Sequence, residues 1–221
     1  MKNIYFLLFA LLILPFTVNA QFVENRGQFS HREISKLRPD IQYQLTGSKV
    51  ISYFLNDGIE NYYYKTRDAA RENWSEDLIN DEEMGYEIRV PQDIFFYRFD
   101  IRFLGSNDEM QLVPVDKNKS YRNYYYEFCP DGILFVPDYK SIEYQNIYDN
   151  IDLRYLSRDG QVKYEFVLYP GAVVSDIKMQ YRGVDNLRIN GNGDLVYDIA
   201  GEEMTEEKPY TFYTVGGEEI E

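Results

Sequence analysis

Residues 95–104 carry the pattern that most constrains the fold. The segment reads F-F-Y-R-F-D-I-R-F-L, with apolar side chains at every second position from Phe95 to Phe103. The intervening positions, such as Asp100 and Arg102, are mostly polar. A period of two is typical of a β-strand with one buried face and one solvent-facing side. The segment therefore predicts sheet structure, which the 22 Tyr and 14 Phe of the chain also favour.

The same alternation recurs along the chain between turn-forming residues. Asp159-Gly160 separates two alternating segments and predicts a hairpin. The whole pattern predicts an all-β chain with an antiparallel β-sandwich-like architecture, built as one domain or as two packed β subdomains. The predicted strands lie at 41–45, 50–55, 95–104, 121–128, 133–136, 141–147, 152–156, 162–169, 177–181, 187–189, 195–199 and 210–215.

Two segments interrupt this pattern. Residues 66–79 contain helix formers without alternation, which predicts one short helical or loop insertion with Trp74 near its centre. We interpret the loop from Asp68 to Gly85 as the most partner-like surface. Residues 116–120 collect charge and turn formers, and they are the point at which a division into two domains would fall.

The first twenty residues read as a signal peptide. Lys2 precedes an apolar run from Ile4 to Phe16, and Val18-Asn19-Ala20 places small residues where a signal peptidase cleaves. The apolar run is short for a membrane span of about 20 residues. We expect residues 1–20 to be removed and residues 21–221 to form the exported β-rich domain.

Charge and cysteine content exclude several classes of partner and fold. The formal net charge is −14, which argues against nucleic acid and anionic lipid as partners. Cys129 is the only cysteine, so no disulfide forms within the chain. The domain must therefore be stabilised by its core.

The chain has little material for catalysis, and we predict that it is not an enzyme. His31 is the only histidine, which leaves catalytic triads and Cys/His zinc sites without support. A carboxylate-dependent glycoside hydrolase needs two facing acids. The 37 acidic residues allow many such pairs, and the linear sequence selects none of them.

Two sets of residues are candidates for binding. Asn190, Asn192 and Asp194 resemble the start of a calcium loop, but Leu195 stands where that loop requires glycine. Because Asn-Gly pairs also form hairpin turns, we favour a turn without metal, and we predict no cofactor. The second set consists of aromatic residues that would stack on sugar rings if they were exposed, namely Tyr63, Tyr125 and Trp74.

Several motifs in order along the chain match a known family. They are F-V-E-N-R-G-Q-F at 22–29, Y-Q-N-I-Y-D-N-I-D-L at 144–153, K-Y-E-F at 163–166, P-G-A at 170–172, G-D-L at 193–195 and K-P-Y at 208–210. The chain resembles the N-terminal domain of unknown function of large exported proteins of the Bacteroidetes kind. In those proteins the domain often precedes β-propeller repeats, immunoglobulin-like or polycystic-kidney-disease domains, and a C-terminal sorting domain of the gliding-motility type. The resemblance covers most of the chain and is strongest over residues 120–213.

The resemblance implies an extracellular or cell-surface location, or a periplasmic one if the sorting domain is missing. It supplies no catalytic residues, and its motifs have structural interpretations: Asn25 and Gly27 form a turn, and Asp152 bonds a neighbouring turn. The ending V-G-G-E-E-I-E reads as a turn entering a further strand, so the chain is either a separate domain or a truncated one.

These observations favour an exported, non-catalytic structural or adhesion module that contacts a protein or glycan at the cell surface. The alternatives are a carbohydrate-binding module that uses exposed tyrosines and, with less support, the glycoside hydrolase.

Overall fold

The chain is described by a computed structural model that covers residues 5–12, 21–31, 36–47, 49–68, 92–127, 129–158, 161–215 and 218–220. Within these ranges the backbone forms eighteen β-strands and one short 3₁₀ helix, Val174–Asp176, but no α-helix. The strands are β1 (Tyr5–Leu12), β2 (Phe22–Glu24), β3 (Ser30–His31), β4 (Lys36–Leu37), β5 (Tyr43–Thr46), β6 (Val50–Leu55), β7 (Gly58–Asp68), β8 (Gln92–Phe103), β9 (Gln111–Tyr126), β10 (Cys129–Tyr148), β11 (Ile151–Arg158), β12 (Gln161–Leu168), β13 (Met179–Arg182), β14 (Asp185–Ile189), β15 (Leu195–Ile199), β16 (Glu202–Glu206), β17 (Tyr210–Val215) and β18 (Glu218–Ile220).

Sixteen of these strands form one large antiparallel sheet, and β3 and β4 form a small second sheet. The main path runs β13-β8-β7-β6-β5-β2-β10-β11-β12-β1-β16-β15-β14. Strand β9 pairs with β10, and the β17–β18 hairpin joins the sheet through β1. Strand β1 therefore lies between β12 on one side and β16 and β17 on the other.

The main core forms where distant parts of the large sheet pack face to face. Phe103 of β8 meets Tyr144 of β10 with ring centroids 5.1 Å apart, and Phe54 of β6 meets Tyr155 of β11 at 5.2 Å. These strands are not neighbours in the sheet, so their contact means that the sheet curves back over itself. Alternating side chains from both layers fill the space between them, as in a β-sandwich.

A second cluster attaches the β14–β16 meander to the other strands. Tyr197 and Ile199 of β15 pack with Val50, Tyr63 and Phe99 from β6, β7 and β8. All five side chains are buried. This meander is therefore held mainly by packing on one face, because only one residue pair connects β16 with β1.

The prediction of an all-β antiparallel fold is confirmed. Of the predicted insertion at 66–79, residues 66–68 belong to β7, and residues 69–79 lie outside the described ranges. Residues 116–120 lie inside the continuous strand β9. The strands that the alternation did not predict include β7 and β16, whose sequences are rich in polar residues.

Candidate functional site

The long β9–β10 hairpin presents two different faces. On its inner face Val136 is fully buried and packs with Val23, Phe29 and Ile41, which anchors the hairpin to the N-terminal segment. Successive side chains of a strand point to opposite faces, so every second residue of β9 lies on the outer face. The hairpin is thus anchored by one side and free to present the other.

The outer face carries a group of exposed aromatic rings, which we call the aromatic platform: Tyr121, Tyr125 and Phe135. Their exposed fractions are 55%, 68% and 61% respectively. The rings of Tyr121 and Phe135 lie across the hairpin from each other, with centroids 4.9 Å apart and planes inclined by 55°. Tyrosine and phenylalanine in such positions suit contact with another molecule, because they provide large rigid apolar surfaces.

A β-bulge directs Phe135 to this face. Ile133 pairs with Tyr124 and Val136 pairs with Arg122, so β10 has one more residue than β9 in this interval. Phe135 has φ of 55°, a left-handed conformation that is strained for a bulky residue. Strained backbone conformations and β-bulges occur often at functional sites, and at Phe135 the strained residue also has an exposed ring.

The position of Tyr125 depends on a glycine. A Cβ atom on Gly132 would lie 2.8 Å from the Tyr125 ring, and Gly132 has φ of 77°. Only glycine adopts this positive φ without strain and also leaves the Tyr125 ring in its place. The local sequence is therefore suited to hold Tyr125 flat against the hairpin.

A second exposed apolar stretch lies on the β7–β8 ribbon. Residues 94–97, which read Ile-Phe-Phe-Tyr, have exposed fractions from 39% to 53%. Tyr64 of β7 lies beside Phe96, with ring centroids 6.1 Å apart. The ribbon leads into residues 69–91, so Trp74 and nearly all of the loop from Asp68 to Gly85 lie outside the described ranges.

Glu206 of β16 is a deeply buried acid whose carboxyl accepts hydrogen bonds from three tyrosines. Tyr164 donates to it at 3.0 Å, Tyr181 at 2.8 and 2.9 Å, and Tyr197 at 3.2 Å. Glu206 is 2% exposed, and burial raises the pKa of its carboxyl above its usual range. We call Glu206 and these three tyrosines the Glu206 cluster. It joins β12, β13, β15 and β16 through one acceptor, which suits a structural connection between the layers.

Two cavities adjoin the Glu206 cluster. An open hollow of about 260 Å³ lies on one side, with a largely apolar lining that includes Ile177, Met179 and Leu195. A smaller cavity of about 20 Å³ has Tyr155 and Asn61 among its lining residues. The Tyr155 hydroxyl and Asn61 Nδ2 are buried and make no hydrogen bond with the described residues.

Other buried acids are neutralised by arginines. Glu60 is 4% exposed, and its carboxylate lies 3.2 Å from Arg38 and 3.1 Å from Arg98. On the other part of the sheet, Arg154 bridges Glu143 at 2.6 Å and Glu165 at 3.0 Å. These acids are occupied by ion pairs, which suits structural roles.

Tyr63 was a candidate for stacking on sugars if its ring were exposed, and this is corrected because the residue is only 1% exposed. Its hydroxyl donates a hydrogen bond to Glu202, which also lies 3.1 Å from Lys65 and 3.3 Å from Lys49. The Tyr63 hydrogen bond is the main reason why the pKa of Glu202 falls to about 2. Tyr63 thus connects β7 to β16 and presents no ring to solvent.

The calcium candidates form the turn between β14 and β15. Asn190 Oδ1 accepts the backbone N–H groups of Asn192 at 2.9 Å and Asp194 at 3.0 Å. Asp194 Oδ1 accepts the backbone N–H of Lys208 at 2.9 Å, and this bond is the main reason why the pKa of Asp194 is lowered. Two of the three proposed ligand side chains therefore already use oxygens in hydrogen bonds, Asn190 within the turn and Asp194 to the backbone of Lys208. Within the described ranges there is no group of three or more His, Cys, Asp or Glu side chains arranged to hold a metal.

The structural interpretations of two motif residues agree with the geometry. Asn25 Oδ1 accepts the N–H of Gly27 at 2.9 Å, and Gly27 has φ of 100°, as a tight turn requires. Asp152 accepts the N–H of Asn146 at 2.6 Å and the hydroxyl of Tyr169 at 2.6 Å. Both side chains thus fix local backbone geometry.

Sequence reasoning missed Tyr121, Phe135 and Glu206. Tyr121 shares a face with Tyr125 at an even spacing, so the alternation could have identified it. Phe135 could not be identified, because the bulge changes the face on which it lies. Glu206 is two residues from buried Met204, and this spacing was the available sign of a buried acid.

These strands and clusters define an all-β, antiparallel, sandwich-like domain with an exposed aromatic hairpin. Residues 22–221 match a family described as a domain of unknown function, DUF7948, and the chain belongs to that family. No curated protein and no solved structure matches the chain. In the described residues we find no helix with the length and apolar character needed to cross a membrane.

Proposed function

We propose that the chain is an exported, non-catalytic structural or adhesion module of a cell-surface or secreted bacterial protein of the Bacteroidetes kind. In this proposal the aromatic platform is the surface that contacts a partner. Residues 1–20 direct export and are removed, and the β-rich domain acts as the rigid support.

One observation carries the proposal: Phe135 adopts a strained backbone conformation and its ring is nevertheless exposed. Burial of the ring does not compensate the strain, because 61% of the side chain faces solvent. A contact with another molecule would provide that compensation. Aromatic side chains at the centre of interfaces commonly dominate the binding energy.

The test is binding of fluorescently labelled protein to whole cells of a Bacteroidetes culture. The Tyr121→Ala and Phe135→Ala double variant should bind at least about tenfold more weakly than the parent protein. Ile189→Ala is the matched control, since Ile189 is 65% exposed on β14, away from the hairpin. Equal binding by the parent protein and the double variant would remove the platform from the proposal.

Carbohydrate binding is the second candidate, and the Tyr121–Phe135 pair favours it. Two rings at 4.9 Å present a continuous apolar surface, and Tyr125 extends it along the same face of β9. Tyr121 and Tyr125 are four positions apart along an extended strand, which corresponds to about 13 Å. Such a strip would suit the apolar faces of successive sugar rings.

Treatment of the cells separates the two candidates. Periodate oxidation of surface glycans should abolish binding if the ligand is carbohydrate, whereas protease treatment should abolish it if the ligand is protein. Tyr125→Ala should weaken binding to immobilised polysaccharide if the strip binds sugars. Release of soluble reducing sugar by the protein would contradict a non-catalytic role.

A further inference from the structure

The position of β1 in the sheet creates a site that nothing else in the described chain fills. Strand β1 pairs with β12 over seven residues, from Phe6 opposite Leu168 to Leu12 opposite Val162. On its other side it pairs with β17, from Tyr5 opposite Thr214 to Phe9 opposite Tyr210. We call the gap between these two edges the β1 slot.

Among the strands that the structure describes, no other connects the two sides of the slot by hydrogen bonds. The path passes from β12 to β16 only through β1, and the β17–β18 hairpin meets the large sheet only at β1. If β1 is absent, β12 becomes an edge strand with a row of unpaired backbone groups. The sheet is thus incomplete without an occupant of this slot.

Residues 5–12 also lie within the apolar run that reads as a signal peptide. The family match begins at residue 22, beyond this run. Export with cleavage after Ala20 removes β1 and leaves the slot without its own strand. The inference below therefore rests on the export proposed above.

The slot determines the chemistry of what fits. Val162, Tyr164, Phe166 and Leu168 of β12 lie in the main core, and directly opposite residues of an antiparallel pair share a face. The positions opposite these four residues are therefore core-facing and need apolar side chains. In β1 those positions hold Leu12, Ala10, Leu8 and Phe6.

The opposite face of the slot is also apolar near its centre. Val167 of β12 and Phe212 of β17 are 7% and 6% exposed, and both lie opposite the same position, Leu7. A strand in the slot therefore needs an apolar residue at this position as well as on its core-facing side, whereas two other positions of this second face lie opposite Glu165 and Lys163.

Because the slot has a strand on both sides, the edge strand of another folded sheet cannot fill it. An edge strand of a folded sheet offers only one free edge, whereas the slot supplies partners on both sides. The occupant must therefore be an extended segment that is free on both edges, as in the addition of a peptide strand to a sheet.

We propose that the exported domain receives, in the β1 slot, an extended apolar segment of about eight residues from a different protein, antiparallel to β12. The segment completes the sheet and connects β12 with β17. By this interaction the domain attaches to a partner chain without an enzyme or a covalent bond.

The experiment uses the full chain with a specific protease site inserted between Ala20 and Gln21. The folded protein is cut at that site, residues 1–20 are removed by gel filtration in mild urea, and a labelled peptide of residues 3–14, with lysines added at both ends for solubility, is titrated in. We expect the peptide to bind and to slow hydrogen exchange at residues 162–168 and 210–214. The same peptide with Leu8→Pro should bind at least tenfold more weakly, because proline removes a backbone donor.

A variant of the slot gives the matching test from the protein side. Leu8 lies opposite Thr211 of β17, whose side chain is exposed. Thr211→Pro should weaken peptide binding at least tenfold, whereas Thr211→Ala, which keeps the backbone N–H, should leave it unchanged. Circular dichroism of both variants verifies that the sheet is retained.

Three results would overturn the proposal. One is a cut protein that binds no peptide while residues 162–168 exchange freely. Another is protection of these residues without peptide in a monomer, which means that the slot closes on itself. The third is their protection in a concentration-dependent dimer, which would make a second copy the occupant. Cleavage after Ala20 is tested separately by the mass of the product that a bacterial host exports. The proposal of export and the proposal of a strand in the slot can therefore be contradicted independently.

Discussion

The Tyr164 hydroxyl donates a hydrogen bond of 3.0 Å to Glu206 Oε2 and thereby joins β12 to β16 inside the core. Tyr181 and Tyr197 donate to the same carboxyl. Glu206→Ala removes this shared acceptor, so the three tyrosine hydroxyls lose their hydrogen bonds to the carboxyl. We expect the free energy of unfolding to fall by about 3 kcal/mol, since each unsatisfied buried donor costs about 1–3 kcal/mol and the cavity relaxes in part.

Glu206→Gln is the matched control for this prediction. The amide keeps the size of the side chain and one acceptor oxygen, so the loss should be clearly smaller than for Glu206→Ala. Urea unfolding followed by tyrosine fluorescence measures both. Equal losses for the two variants would mean that the volume of the side chain, and not its acceptor, stabilises the protein.

The pH dependence of stability should contain two opposite contributions. Burial raises the pKa of Glu206 in the folded state, so the folded form holds its proton more tightly than the unfolded form. The stabilisation by protonated Glu206 is complete when the pH is below about 4.3, the pKa of Glu in the unfolded chain. It is lost as the pH rises through the pKa of Glu206 in the folded protein. Glu202, whose pKa is lowered to about 2 by Tyr63, contributes above its unfolded value and loses that contribution as the pH falls towards 2.

Single variants separate these contributions. Glu206→Gln should flatten the decline of stability above pH 4.3, and Glu202→Gln should flatten the decline below it. The difference in unfolding free energy between each variant and the parent, measured in urea from pH 3 to pH 8, cancels the other titrating groups. A Glu206→Gln difference that stays constant across this range would contradict the raised pKa.

Removal of the hydroxyl from two buried tyrosines should have different effects on the stability of the protein. Tyr144 donates to the carbonyl oxygens of Leu55 at 2.8 Å and Gly58 at 3.2 Å, whereas the Tyr155 hydroxyl makes no hydrogen bond with the described residues. Tyr144→Phe should therefore lower the free energy of unfolding by about 1 kcal/mol. Tyr155→Phe should leave it unchanged or raise it, because it removes a buried polar group.

Thermal and urea unfolding of the two variants give this comparison directly. The rings are neighbours, with centroids 6.4 Å apart, so both variants report on the same region of the core. A loss for Tyr155→Phe equal to that for Tyr144→Phe would mean that a solvent molecule in the 20 Å³ cavity satisfies the Tyr155 hydroxyl.

Two runs of three tyrosines, at residues 62–64 and 124–126, show how much of the structure can be predicted from alternation. In both triplets the central ring lies on the opposite face from its neighbours, as the period of two requires. The two central rings differ in exposure, because Tyr63 is 1% exposed and Tyr125 is 68% exposed. The period separates the two faces of a strand, but which face is buried depends on the layer that packs against it. That layer is formed by residues distant in sequence, including Tyr197 and Ile199 for Tyr63.

The order of the strands was beyond sequence reasoning for the same reason. Alternation placed most strands, but nothing in the pattern states that β2 separates β5 from β10 or that β13 pairs with β8. Polar strands such as β16 were missed because their buried members include an acid, Glu206, whose burial depends on hydrogen bonds from tyrosines on three other strands. The bulge at Phe135 likewise depends on pairing across the hairpin.

Backbone strain at Phe135 can be tested apart from its ring. Phe135→Gly and Phe135→Ala both remove the ring, but only glycine adopts the left-handed conformation, with φ of 55°, without a steric penalty. The left-handed region costs a residue with a Cβ atom about 1 kcal/mol. We therefore expect the glycine variant to have a free energy of unfolding about 1 kcal/mol above that of the alanine variant, as measured by urea unfolding.

Binding should not follow the same order. Both variants lack the ring that faces Tyr121, so both should lose binding to the partner equally, although their stabilities differ. An alanine variant more stable than the glycine variant would show that residue 135 is not held in the left-handed conformation. If instead the glycine variant bound as well as the parent protein, the bulge would serve the hairpin alone, and the platform would be reduced to Tyr121 and Tyr125.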